Sequence, residues 1–398
     1  MEDILLLIVI TYSVSLVLGF FLDKYLKIPW MFASLFFGII LSFFGFFESS
    51  IKSESFQLLA KLGMLIILFM IGFNLDLKEI KRLGKQIIMG SILIISLEGL
   101  SGSLLFYLGF PDHVSNSYLV ALLTAVSFAT VGEAVLLPIL HEFNLLGTTF
   151  GQLTLGIGTF DDIIEVLTLA AIAVLPALLP KAQVQGVPNP LSILFVLGCL
   201  LFLTFVMIKL AGKVRNILAK NSNTPYVHTL LVLLVFFSFA ALGGFVFEDL
   251  AAVGVILGGI VARQLLPEEM LIEDEKAVNF LGYIFLSPLF FLSIGADVSL
   301  PSVLIQPSLI ICILIIANTS KYLVSFLLYR KMLGTKYSLL LGVGLGVRFS
   351  TSLIVQHILF SSGFISLALY SSLIASAIIL KPIIISIYSW GLSSGNPP

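Results

Sequence analysis

Charge is scarce in this sequence: 11% of its 398 residues are Asp, Glu, Lys or Arg, and the net charge is −1. A balance so near zero offers nothing to a polyanion, so no nucleic-acid partner is expected. Cysteine is scarcer, and Cys199 and Cys312 lie in separate apolar runs, which excludes a disulfide framework and a cysteine metal site. The histidines, His113, His141, His228 and His357, are scattered along the chain, so no zinc or haem site is read and no cofactor is expected. The start also lacks the basic residues and small-residue cleavage site of a signal peptide. Met1-Glu2-Asp3 runs directly into an apolar stretch, which is expected to be a retained first helix.

What the sequence has is apolar surface, far more than a soluble fold of this size can bury: 59% of the residues are hydrophobic and the mean hydropathy is +1.14. Apolar stretches occur at 4–22, 29–46, 56–75, 86–110, 117–140, 150–179, 191–211, 226–247, 250–265, 280–296, 308–329, 338–360 and 366–387. Each approaches the roughly 20 residues a bilayer crossing needs, so the fold class is an all-α polytopic membrane protein of about thirteen helices. The ninth stretch is the shortest.

Basic residues give the orientation. Alternate loops carry Lys24 and Lys27; Lys78, Lys81, Arg82 and Lys85; Lys213, Arg215 and Lys220; Arg263 and Lys276; Arg330, Lys331 and Lys336. The opposite loops hold little beyond Lys52 and Lys181. The positive-inside rule then puts the N-terminus outside and the C-terminus in the cytoplasm of a multi-pass cell-membrane protein. The acidic stretch 265–279 is expected along the cytoplasmic surface, and 391–398 as a short tail with no regulatory domain attached.

A short internal repeat supports a two-fold plan. Ser91-Ile-Leu-Ile-Ile-Ser-Leu-Glu98 parallels Cys312-Ile-Leu-Ile-Ile-Ala-Asn-Thr319, and the second lies seven spans after the first, an odd step that turns the copies opposite ways in the membrane. The next span of each copy is broken by Gly and polar residues: Thr124–Glu133 in one, Gly342–Thr351 in the other. Matched breaks in inverted halves point to a binding site at mid-membrane.

Several ionisable groups fall within the spans: Glu98, Glu133, Asp161, Asp162, Glu165, Lys321 and Arg348. A charge at bilayer depth costs about 2.5–3.5 kcal/mol, so it faces a cavity or a partner. Asp161 is about eleven residues, or roughly 16 Å, into its helix, which is half the hydrocarbon thickness. Adjacent residues project about 100° apart on a helix, so one carboxylate can meet a partner helix while the other faces a cavity. Two carboxylates this close repel when both are ionised, which suits a site where a proton and a metal cation alternate. Lys321 is the natural partner for one of them, in a pair that breaks when the cation binds. Arg348 suits a fixed role, paired with Glu133 or Glu98, and Glu165 tunes the pair or lines its entrance. Gly254-Val-Ile-Leu-Gly258 reads as close helix packing, and the Gly342-x-Gly-x-Gly run lacks the strand context of a nucleotide site.

Taken together, Gly156-Ile-Gly-Thr-Phe-Asp-Asp162 and Pro288-Leu-Phe-Phe-Leu-Ser-Ile-Gly295 resemble the Kef/Nap-type branch of the monovalent cation/proton antiporter superfamily. The resemblance spans nearly the whole chain and implies the sodium/proton antiporter fold, with inverted repeats and two discontinuous crossing helices. It implies a homodimer in which core helices (86–180 and 301–390) move against a scaffold (1–85 and 226–300), linked by 191–211. It further implies that Asp162 is the main sodium-binding carboxylate, Asp161 the partner of Lys321, and Ser127 and Thr130 nearby oxygens. Kef-type potassium systems have Gln-Asp where this chain has Asp161-Asp162, and carry a nucleotide-binding tail, so Na⁺ or Li⁺ exchange is expected over K⁺/H⁺ antiport. An intramembrane aspartyl protease needs aspartates from two facing helices, which adjacent residues serve badly, and a channel needs a continuous polar path.

Overall fold

A computed structural model describes residues 2–26, 28–75, 84–178, 190–220, 225–245, 250–267, 271–348, 350–379, 381–395 and 397–398. The regular structure of these residues is helical: α1 (Glu2–Leu26), α2 (Phe32–Phe44), α3 (Glu54–Asn74), α4 (Lys85–Leu104), α5 (Tyr118–Ala129), α6 (Glu133–Glu142), α7 (Thr149–Leu178), α8 (Pro190–Lys220), α9 (Pro225–Gly244) and α10 (Leu250–Leu265) come first. They are followed by α11 (Leu271–Asn279), α12 (Ser287–Ala296), α13 (Leu300–Ile305), α14 (Pro307–Leu345), α15 (Ser350–Ser361), α16 (Leu367–Ile379) and α17 (Lys381–Ser393). Among the described residues, 8 helices are long and apolar enough to cross a membrane, and shorter apolar helices lie at Phe32–Phe44, Tyr118–Ala129, Leu250–Leu265 and Ser352–Ser361. α7 is long enough at 30 residues but carries Asp161, Asp162 and Glu165.

The sequence reading and the backbone agree in some places and differ in others. The spans at 308–329 and 338–360 divide as read, at a non-helical Gly334 whose φ of 75° is a left-handed value that favours glycine; the two arms, Pro307–Leu345 in all, are together labelled α14. The second span breaks again where α14 ends at Leu345 and α15 begins at Ser350. The acidic stretch placed along the surface is helical from Leu271 and continues through a wide turn, Phe280–Leu286, into α12. That π-type turn precedes Pro288, which has no N–H to give the ladder. The last helix extends to Ser393, and the Phe150 N–H donates to the Pro398 carbonyl at 3.0 Å.

The chain divides into two compact units. One comprises residues 1–8, 49–77 and 169–293. In it α10 packs against α3, α8 and α9, almost wholly buried despite its 16 residues. Glycines make this approach close: Gly259 lies against the Phe69 carbonyl, Gly254 against the Phe239 carbonyl, and a Cβ on Gly258 would stand 3.0 Å from that of Phe239. The packing reading of the Gly254/Gly258 pattern therefore matches the neighbours observed. Arginines finish two of these helices. Arg263 donates to the Phe73 carbonyl at 3.1 Å and Arg215 to the Gln264 carbonyl at 2.7 Å, satisfying last-turn acceptors at the negative ends of helices α3 and α10.

The other unit comprises residues 9–48, 78–168 and 294–398. Here α4 packs on α5 and α14, and α15 on α5 and α16. Gly102 admits the ring of Phe128 and the methyl of Ala125, and Gly342 brings the two arms of the bent α14 together beside Tyr322 and the Lys321 carbonyl. The Tyr329 hydroxyl donates to the Gln86 carbonyl at 2.8 Å, tying α14 to the start of α4.

Candidate cation and proton site

Both matched breaks are present. The helix of the fifth span stops at Ala129 and resumes at Glu133; Thr130, extended at φ −76° and ψ 160°, begins the break. In the second, α14 ends at Leu345 and Arg348 stands before α15. The two interruptions meet: the Gly132 N–H donates to the Val347 carbonyl at 2.7 Å. A backbone donor freed by one break is thus satisfied by an acceptor freed by the other, which is how irregular backbone is tolerated at membrane depth.

Around this crossing the structure gathers a charged cluster. Asp161 is fully buried at 0% exposure, and Glu165, one turn along α7, is buried too. Asp162 projects from the same helix but is half-buried. The charged neighbours of Asp161 are Lys321, Glu165 and Glu98, with Ser91 beside it. Lys321, also fully buried, is paired with Glu98, Nζ to Oε2 at 3.6 Å; sequence reasoning had paired it with Asp161. The second Glu98 oxygen lies 3.9 Å from Arg348 NH2. Of the two partners proposed for Arg348 the contact observed is therefore Glu98. Glu133 opens α6, and its side chain lies outside the described residues.

Arg348 has further anchors. Its NH1 donates to the Ser376 hydroxyl at 3.3 Å, and its guanidinium lies 5.1 Å from the centre of the Phe128 ring. Ser127, next to Phe128, is buried; its hydroxyl donates to the Thr124 carbonyl at 2.7 Å, leaving its oxygen able to accept or coordinate. Thr130 is likewise buried. The measured contacts therefore join Glu98, Lys321 and Arg348 directly, with Asp161 and Glu165 in their field.

One residue escaped the sequence reading. Lys381 falls inside the span read at 366–387, yet was not counted with the intramembrane charges. It is buried at 2% exposure, its Nζ 3.6 Å from the centre of the Phe32 ring. With Asn318, Gly346, Arg348 and Ser376 it lines a cavity of about 10 Å³, room for roughly one water. The signal was available, since a lysine within an apolar span is as costly as an aspartate.

Comparison with known proteins gives the family and the fold. The family described as "Sodium/hydrogen exchanger, transmembrane" matches residues 9–389. The chain belongs to this exchanger family. It is 24% identical over 396 residues to the probable Na⁺/H⁺ antiporter 3 of Methanocaldococcus jannaschii, covering 97% of this chain and 96% of that protein. A Na⁺/H⁺ antiporter of Enterococcus hirae is 24% identical over 394 residues, covering 94% of this chain and 96% of that protein. The structure of the sodium proton antiporter MjNhaP1 from Methanocaldococcus jannaschii at pH 8 matches with a TM-score of 0.65 at 18% identity, over 98% of this chain and 99% of that one. The exchanger family and this fold thus meet in one chain, whose broken helices cross beside buried carboxylates.

Proposed function

We propose that this exchanger-family chain is a secondary-active Na⁺/H⁺ antiporter, in which a proton and the cation compete for Asp161 and Asp162. The observation that carries this is the meeting of the two helix breaks at Gly132 and Val347, next to Arg348. The contact of Arg348, Glu98, is with Lys321 a charged neighbour of the fully buried Asp161, and half-buried Asp162 follows it on the same helix. Asp162, the less buried of the two, takes the cation; Ser127 and Thr130 lend oxygens. Glu165 tunes the pair, and the Arg348–Glu98 contact holds the second break in place. The related Na⁺/H⁺ antiporters, at near full-length coverage, support sodium as the cation.

The same reading takes in a homodimer, a moving core of 86–180 and 301–390 against a scaffold of 1–85 and 226–300, and a cytoplasmic C-terminus. Cysteines placed at Lys85 and at Gln185 test the last: an impermeant reagent on intact cells should label position 185 and spare position 85. Labelling the other way round reverses the orientation.

The deciding experiment is cation-induced dequenching of a pH-sensitive dye in proteoliposomes, comparing Na⁺, Li⁺, K⁺ and Rb⁺. Proton movement driven by Na⁺ and Li⁺ is the expected result. A response to K⁺ alone makes the chain a K⁺/H⁺ antiporter, and no response to any cation rejects antiport.

A further inference from the structure

We propose that Glu98 is the carboxylate that holds Lys321 charged, leaving Asp161 to the cation and the proton. The inference rests on the antiport reading and concerns how its site is kept open. A carboxylate within α4, at 0% exposure, needs strong compensation. Here each oxygen of Glu98 faces a different cation, Lys321 at 3.6 Å and Arg348 at 3.9 Å. Arg348 keeps its charge under all conditions, so a permanent positive group faces Glu98 and favours its anionic form beside Lys321.

The backbone is arranged to deliver it there. Gly99 and Gly102, which follow Glu98, let α4 close on Val126, Ala125 and Phe128 of α5, while Tyr329 fastens α4 to α14 through Gln86. Lys321 stands on that same α14, and Ser376 and Phe128 hold Arg348 from the other side. Glu98 is therefore fixed, and the lysine is the longer and more flexible member of the pair.

Charge accounting gives this a consequence. Lys321 and Arg348 carry two positive charges and Glu98 one negative, so the trio is net positive and Asp161 lies in its field. If Asp161 alone compensated Lys321, every entering cation would have to displace an ammonium. With Glu98 in place the lysine keeps a counter-charge while Asp161 engages the cation. Removing the charge at Glu98 leaves Lys321 to turn to Asp161 and compete with sodium.

The test measures half-saturating Na⁺ for proton flux in proteoliposomes, at one pH above the onset of transport. Glu98→Gln should raise it by at least about tenfold, the effect of an ammonium ion newly opposed to the entering cation. Adding Lys321→Gln to Glu98→Gln removes that competitor and should bring the value back to within about threefold of wild type, a coupling a merely structural role would not produce. Glu98→Asp keeps the charge and should fall between wild type and Glu98→Gln; it carries the test if the glutamine variant does not insert. A half-saturating Na⁺ for Glu98→Gln within about threefold of wild type, or a double variant as weak as Glu98→Gln alone, overturns the proposal. Should only Glu98→Asp insert, a value no higher than wild type overturns it. Wild type lacking Na⁺-driven flux defeats the antiport reading instead, so the two failures are distinct.

Discussion

α10 and α7 each bury a face in protein, and those buried faces are made of opposite materials. α10 meets its neighbours backbone to backbone, with Gly259 against the Phe69 carbonyl and Gly254 against that of Phe239. α7 buries carboxylates, Asp161 at 0% and Glu165 at 3% exposure, with Lys321 among the charged neighbours of Asp161. Glycine contacts give close packing with no unsatisfied polar group, and a small rigid stripe is enough to build them. A buried carboxylate costs free energy that only a partner, a cavity or a bound cation returns. The contrast sets close packing against buried charge, and it can be broken from either side.

The largest effect should come from α7. Asp162→Asn keeps the shape of the side chain but removes the charge proposed to hold the cation, so Na⁺-dependent proton flux should be lost altogether. The protein should still insert and give a wild-type melting profile in detergent. Retained flux moves the cation site away from Asp162 and dissolves the contrast between the two helices.

The converse substitution is Gly259→Leu in α10. A side chain there must displace the Phe69 carbonyl and Phe73, and overpacking of this kind costs about 1–3 kcal/mol or more. The melting temperature should fall by several degrees, while half-saturating Na⁺ of the protein that remains folded stays within about twofold of wild type. A shift in cation affinity without a loss of stability would show that α10 belongs to the transport machinery.

Next in size is the pH dependence. If proton and cation exclude each other at Asp161 and Asp162, half-saturating Na⁺ must rise as pH falls, by up to about tenfold per unit where one proton displaces one cation. A value flat across the range in which transport turns on separates binding from protonation.

The sequence made much of this comparison legible, for physical reasons. Span positions follow from hydropathy, because a bilayer imposes a length, and the breaks follow from the Gly and polar interruptions at 130–133 and 346–350. That Glu98, Asp161, Glu165, Lys321 and Arg348 lie deep could also be read, while Lys381 was missed and Asp162 is half-buried. Pairing could not, because burial selects the types of residue and helix rotation selects the partner. Asp161 and Glu98 both lie near Lys321 and are both carboxylates, and only the geometry sets the lysine 3.6 Å from Glu98. The break at Gly334 was legible, since the run of Arg330, Lys331 and Lys336 reads as a turn between spans; its positive φ is what only the geometry adds.

The smallest effect concerns arginines at the edge of the α10 packing, and it sharpens the contrast because the residue is charged but its role is structural. Arg215 NH2 donates to the Gln264 carbonyl at 2.7 Å, in the last turn of α10, where acceptors have no helical partner. A charged donor at the negative end of a helix contributes about 0.3–1 kcal/mol when partly exposed, as Arg215 is. Arg215→Gln keeps a donor but loses the charge, so the melting temperature should drop by about a degree, with flux and half-saturating Na⁺ unchanged. Arg348→Gln is the matched control, since the same substitution there leaves Glu98 with Lys321 alone. Cation dependence should change in that variant and not in Arg215→Gln. Equal changes in both would mean that position relative to the helix breaks does not decide what a buried or half-buried arginine does.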